Sequence, residues 1–532
     1  MELLHSTIGD SLSLRARQSP DKLALVYRDQ SYTWSEIDRI TDYLAVRMDH
    51  QGIRKGTHVG IWSVNTPNWI LTFLALEKLG AIPALINTCY KMEELRNIIQ
   101  YADLEYLCYG DGYKTLRYEP MIQVLQQEDW SRGISWIPIG RNQSGQWMTE
   151  RDFVEEASES GTPVRLAELR SQVRSEDTAA MLFTSGTTSA AKGVLLSHDN
   201  LINSARGTLE FTRWTEEDRF LVAVPMFHCF GITSNLLAGI QIGCTIYLMK
   251  YFKSVQVMQE VDKHQITVLS GVPSMFLAIV HKPERTEYSL KSLRSGIIAG
   301  SAVSEQEYHL IQREIPEITL LPSYGQTETS PCVTLMLQED PVEKRASTAG
   351  RLISGVEVRF VNPADGKLAA AGQTGEIQVR GYNVMQGYYK MPEATRETLL
   401  TDGWLRTGDL GFLDEAGYLH VVGRIKEMIV RAGENISPHE IEACLLDLPY
   451  VQEAKVLGIP AEVVQEKIIA CVIPKPGTLL KESEILLYLT GRLAHYKVPS
   501  HILEFQKFPV TASGKVMISE LKQQVIERLS KM

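Results

Sequence analysis

Residues 181–198, MLFTSGTTSAAKGVLLSH, hold two short apolar runs separated by glycine, small hydroxyl residues and a lysine. Thr184, Ser185, Gly186, Thr187, Thr188 and Ser189 precede Lys192, and the flanking runs read as strands. Glycine lets backbone N–H groups close on an anion, hydroxyls add donors, and lysine supplies positive charge, so the stretch reads as a phosphate-binding hairpin. The Walker A order G-x-x-x-x-G-K-[ST] fails, because Lys192 stands between Ala191 and Gly193. On local grounds alone a plain polar turn fits the same residues.

Outward from the hairpin, the chain alternates between strand and helix patterns. Thr33 and Glu36 form a capping-box pair ahead of Ile37, Ile40, Leu44 and Met48, which recur on one helical face. HVGIW at 58–62 reads as a core strand, 68–79 as a helix, and 81–86 as a returning strand. FLVAVPM, CTIYLM, ITVLSGV and SGIIAG repeat the alternation between Arg219 and Leu321, which predicts parallel α/β layers. After Tyr324 the strands VEVRFV, GEIQVR and GYLHVVG are short and punctuated by glycine, as in a small β-rich subdomain. Beyond Arg424, a helix over 438–446, strands over 451–459 and 467–473, and a last helix marked by Ile518, Leu521, Val525 and Leu529 predict a compact α+β unit. The fold class is α/β: a large N-terminal region with several subdomains, then a small C-terminal domain.

Composition narrows the function. At 532 residues the chain exceeds one ordinary domain, and 44% hydrophobic with 22% charged residues suits a soluble globular protein. A net charge of −10 argues against nucleic acid or an anionic membrane as partner. The most apolar stretch, 70–86, is interrupted by Glu77 and Lys78 and is too polar to span a bilayer. Seven scattered cysteines without a C-x-x-C pair fit a reducing compartment, and with no signal peptide the expectation is a cytoplasmic protein. None of the cysteines is assigned to catalysis or metal.

The hairpin is similar to the TSGTTG-x-P-K-G block of the adenylate-forming superfamily: acyl-CoA synthetases, luciferases and peptide-synthetase adenylation domains. Further blocks of that family recur in order: Tyr324-Gly325-Gln326-Thr327-Glu328, Gly375-Glu376 with Arg380-Gly381, Thr407-Gly408-Asp409, Gly423-Arg424-Ile425-Lys426, and Pro509 through Gly514-Lys515. The resemblance covers nearly the whole chain, and GAIPALIN at 80–87 with IVRAGENI at 429–436 resembles medium-chain and related acyl-CoA synthetases. It implies ATP-dependent activation of a non-amino carboxylic acid to an acyl-adenylate, followed by transfer to a thiol. Coenzyme A is the expected acceptor, with the phosphopantetheine of an acyl carrier protein as the alternative. A catalytically weak nucleotide or acyl-ligand binder is a third reading, suggested only by the altered hairpin.

The resemblance also implies roles for residues. Thr184 through Thr188 and Lys192 would cradle the ATP phosphates. Tyr324 would face adenine, with Gly300, Ser301 and Ala302 against its edge and Gly325 beside it. Asp409 and Arg424 would hold the ribose, Thr327 the reacting phosphate or carboxylate, and Glu328 a magnesium ion, a hard cation that prefers oxygen. Lys515 is the expected catalytic cation, because an anionic carboxylate must attack an anionic phosphate. His228 and Phe230, in PMFHCFG, would border the acyl channel; His228 stands where amino-acid-specific relatives commonly carry Asp. The implied domains are 1–425 and a mobile 426–532, hinged near Lys426, with Gly433 lining the thiol tunnel. A monomer or homodimer is expected. Ser189 and Ala191 replace the usual Gly and Pro of the hairpin, Gln465 replaces a common Gly, and Ile518 a common Arg.

Overall fold

A computed structural model describes residues 2–139, 162–184, 191–431, 434–461, 465–510 and 516–530. Thr33 accepts from the Glu36 N–H and Glu36 answers to the Thr33 N–H, so the expected capping box starts the helix Trp34–His50. Its predicted apolar face, Ile37, Ile40, Leu44 and Met48, is buried. The next helix is Pro67–Leu79, begun by Thr66, whose side chain accepts from the Trp69 N–H.

The N-terminal region, expected as one α/β assembly, contains two large sheets sharing one apolar core. A seven-stranded sheet runs in the order Gly387–Tyr388, Lys192–Ser197, Thr178–Thr184, Ile82–Leu85, His58–Trp62, Tyr106–Tyr109, Ser135–Pro138. Its last five strands are parallel. A nine-stranded sheet carries a parallel run in the order Thr319–Tyr324, Ser295–Ile298, Val268–Leu269, Arg219–Val222, Thr245–Leu248, Leu23–Tyr27. The hairpin of Leu23–Tyr27 and Gln30–Thr33 extends this sheet at one edge. Parallel strands buried on both faces read as continuous apolar runs, which is why the texture between 219 and 321 resembled its neighbour upstream.

The β-rich region after Tyr324 is an antiparallel four-stranded sheet, Val356–Val361, Gly375–Gly381, Leu405–Leu413 and Leu419–Arg424. Arg424 ends it; Ile429 opens the five-stranded sheet that follows. In that sheet Ile468, Ala470 and Val472 face one apolar cluster while Ile469, Cys471 and Ile473 face another. The first cluster includes Ile441 and Leu445 of the helix Pro438–Leu446, the second Leu521 and Val525 of the helix Ile518–Leu529. Gln465, where relatives commonly carry glycine, has φ +65°, a left-handed backbone that explains the family preference.

Candidate active site

The strands Thr178–Thr184 and Lys192–Ser197 pair antiparallel with Thr184 opposite Lys192, so the flanks of the expected hairpin are in place. Ser185, Gly186, Thr187 and Thr188 lie outside the described residues, as does Ser189. Lys192 extends its ammonium over the Tyr388 ring, 4.4 Å from the centroid. Tyr388 in turn donates its hydroxyl to Glu328 Oε1 at 2.9 Å. Burial, and then the neighbouring Glu328 charge, push the Tyr388 hydroxyl far above its ordinary pKa, so it stays a donor. Tyr388 was not anticipated. It belongs to a two-residue strand that pairs with Val194 and Leu195, and nothing in its local sequence marks that register.

Thr327 and Glu328 sit in a tight turn just after the strand Thr319–Tyr324. Glu328 is buried, and its carbonyl accepts the Met385 N–H at 3.0 Å. A carboxylate and a hydroxyl on adjacent residues offer the hard oxygen donors that suit magnesium, which commonly takes one or two carboxylates and fills its shell with phosphate and water. No cluster of three or more His, Cys, Asp or Glu able to hold a metal occurs among the described residues. Gly325 is required sterically, since a Cβ there would meet the Pro331 carbonyl oxygen at 1.8 Å.

Tyr324 and Arg424 converge on Asp409. The Tyr324 hydroxyl donates to Asp409 Oδ2 at 2.8 Å, and Arg424 Nε lies 2.9 Å from Oδ1. Asp409 and Arg424 are direct cross-strand partners, which the fifteen-residue separation in sequence did not reveal. Burial first, and Asp409 second, raise the Tyr324 hydroxyl well above its usual pKa. Gly300, at φ +89°, turns the chain just beyond the strand Ser295–Ile298, and Ser301 and Ala302 are exposed beside it.

His228 caps the following helical turn, its Nδ1 accepting the Phe230 N–H at 3.4 Å. Cys229, given no role from sequence, bridges toward Thr327: its Sγ lies 3.7 Å from both His228 Nδ1 and Thr327 Oγ1. His228, Phe230 and Gly300 line a cavity of about 210 Å³. Its walls come from the C-terminal edges of both parallel sheets: Val64, Asn65 and Thr88 from the seven-stranded one, Val224 and Val272 from the nine-stranded one. Ligands of open α/β sheets bind outside such edges. Lys426 is exposed in the short turn Ile425–Glu427, directly after Arg424. Lys515 and Gly433 lie outside the described residues.

Residues 12–389 match the AMP-binding enzyme family, and residues 440–515 match the AMP-binding enzyme C-terminal domain. The Bacillus subtilis protein YngI, assigned provisionally to the acyl-CoA synthetases, is 36% identical over 99% of this chain and 98% of its own. The mouse mitochondrial medium-chain acyl-CoA ligase ACSF2 is 32% identical over 99% of this chain and 89% of its own. ATP-bound MatB of Rhodopseudomonas palustris superposes with a TM-score of 0.84 at 26% identity, covering 96% of this chain and 98% of that one. No helix among the described residues is long and apolar enough to cross a membrane. The chain belongs to the AMP-binding enzyme family, in its branch of acyl-CoA synthetases and ligases.

Proposed function

We propose that this acid–thiol ligase joins a fatty or related non-amino carboxylic acid to ATP and then to coenzyme A in the cavity behind His228. The observation that carries the reading is an unbroken line of contacts from Lys192 through Tyr388 to Glu328, and from adjacent Thr327 through Cys229 to His228. On this reading the groups that would meet the phosphates stand beside an apolar pocket. An acid carboxylate seated near His228 attacks the α-phosphorus, and the bond to the departing pyrophosphate breaks. The thiol then attacks the acyl carbon and AMP leaves, with the thiol proton passing to solvent.

Lys192 and the hairpin hydroxyls would neutralise the phosphates, and Tyr324, Asp409 and Arg424 would hold the nucleoside. Glu328, with Thr327 beside it, would hold magnesium, which when bound supplies positive charge to the phosphates. Lys515 would add a cation where carboxylate and α-phosphate meet. Two reactions at one acyl carbon favour two arrangements of residues 1–425 and 426–532, with Lys426 as pivot and Gly433 facing the thiol in the second. The free cysteines, Cys108, Cys244 and Cys471 among them, fit a reducing, cytoplasmic setting.

A panel of carboxylic acids with ATP and magnesium, run with and without coenzyme A and read by product mass, tests this. Acyl-AMP without the thiol and acyl-CoA with it are expected. Pyrophosphate release that never depends on acid would refute the reading, and acyl-AMP that transfers only to a carrier protein would reassign the acceptor.

A further inference from the structure

Sheet topology gives the cavity two distinct ends. In the nine-stranded sheet, Gly300 follows the strand Ser295–Ile298 and Lys250 follows Thr245–Leu248. Val268–Leu269 and Arg219–Val222 lie between them, so three interstrand steps separate the two positions. In the seven-stranded sheet, Thr184 ends its strand and Lys114 follows Tyr106–Tyr109, with Ile82–Leu85 and His58–Trp62 between, again three steps. At about 4.8 Å per step, each lysine stands on the order of 14 Å from the nucleotide side.

The two sheets bring these lysines to the same end. Tyr113 and Tyr251, their chain neighbours, meet edge to face with ring centroids 6.0 Å apart. Both Lys114 and Lys250 line the cavity. Among the described residues neither has a carboxylate partner; Lys114 instead rests 5.0 Å from the centroid of the Tyr113 ring. The rest of the lining is largely apolar and includes Val64, Phe227, Phe252 and Met275. Lys114 is exposed and Lys250 half-buried, so the far end reaches water. Two ammonium groups without a carboxylate partner at the wet end of an apolar passage can donate charge-assisted hydrogen bonds to an anion that a ligand brings there.

We propose that Lys114 and Lys250 bind the second carboxylate of a medium-length α,ω-dicarboxylic acid whose first carboxylate is activated beside His228. This rests on the cavity being the acyl site, as proposed above. Phosphates of the thiol substrate would suit the same lysines, so the assay leaves the thiol out.

The test is acid-dependent pyrophosphate release from ATP by the full chain without coenzyme A. Monoacids and diacids of matched length are compared: hexanoic with adipic, octanoic with suberic, decanoic with sebacic. At one or more lengths kcat/KM for the diacid should exceed that of the monoacid about tenfold, mainly through KM, as one charged hydrogen bond provides. That ratio should collapse in the Lys114→Met, Lys250→Met double variant and persist in Lys250→Arg. Activation of monoacids with no diacid favoured, or a ratio that survives the double variant, overturns the proposal and leaves the acyl-activating reading intact. If no acid of either kind releases pyrophosphate, the acyl-activating reading fails and this inference fails with it.

Discussion

Tyr324 donates its hydroxyl to Asp409 across 85 positions of sequence, at 2.8 Å, and Arg424 closes on the other oxygen of the same carboxylate. Removing that hydroxyl in Tyr324→Phe leaves the ring in place but frees Asp409 Oδ2. A hydrogen bond to a charged group is worth about 1.5–3 kcal/mol, so the KM for ATP should rise about tenfold with a smaller change in kcat. Initial rates of pyrophosphate release against ATP concentration measure it; an unchanged KM would detach this triad from nucleotide binding.

Tyr388→Phe keeps the aromatic face under Lys192 but removes the donor to buried Glu328. A buried acceptor left unpaired costs about 1–3 kcal/mol, and a Glu328 carboxylate without its anchor holds a cation less well. The magnesium concentration for half-maximal rate should rise about three- to tenfold. A magnesium titration at saturating ATP and acid decides this, and a curve that overlays wild type would remove Tyr388 from the site.

For Lys515→Ala, adenylate formation should fall about 10²- to 10³-fold, the effect of losing one well-aimed electrostatic donor. Acid-dependent exchange of pyrophosphate into ATP reads that half-reaction alone. Near-normal exchange in folded protein would rule out the assignment.

Lys426→Pro should restrict rotation between the four-stranded and five-stranded sheets, because it lies in the turn between Arg424, where the first ends, and Ile429, where the second begins. Thioester formation from purified acyl-adenylate is expected to drop more than adenylation, and Gly433→Leu should do the same by obstructing the thiol. Equal loss of both half-reactions would contradict a pivot at this turn.

Glu77 is buried in the helix Pro67–Leu79, and neither of its carboxyl oxygens has a hydrogen-bond partner among the described residues. His198 Nδ1 is 3.3 Å away but already accepts the Ile8 N–H, and burial lowers the His198 pKa to about 4, so no cation compensates. Burial raises the Glu77 pKa well above its ordinary 4.5. The folded chain therefore holds this proton more tightly than the unfolded one. Its stabilising effect is full below pH 4.5 and is lost as pH rises through the folded-state pKa. Glu77→Gln should melt about 2 °C above wild type at alkaline pH, with the gap closing toward acid. Melting curves across pH test this; a constant gap would show that Glu77 does not titrate between the two states.

Much of the candidate site was legible because its residues stand in contiguous blocks. Tyr324 with Thr327 and Glu328, and Thr184 with Lys192, are neighbours in sequence and remain neighbours in space. Tyr388 and Cys229 were not, because their contacts with Glu328 and Thr327 arise from register and packing between distant segments. The fold shows the same division. The run 468–473 reads plainly as a strand since helices cover both its faces. The edge hairpin at 23–33 was missed: its second strand, Gln30–Thr33, is half-exposed and has no apolar alternation to betray it.

Asn65 lies in the loop after His58–Trp62 of the seven-stranded sheet, yet its amide donates to the Val224 carbonyl at 2.9 Å and accepts the Met226 N–H at the same distance. One side chain thus clamps the loop leading to His228 by its backbone, indifferent to which side chains that loop displays. The peptide units that aim His228 are therefore anchored independently of Phe227 and Phe230, the two aromatic side chains by which this loop lines the cavity. If the cavity takes the acid, as proposed above, substitution at its wall would change which acid fits while the backbone that presents His228 stays where it is.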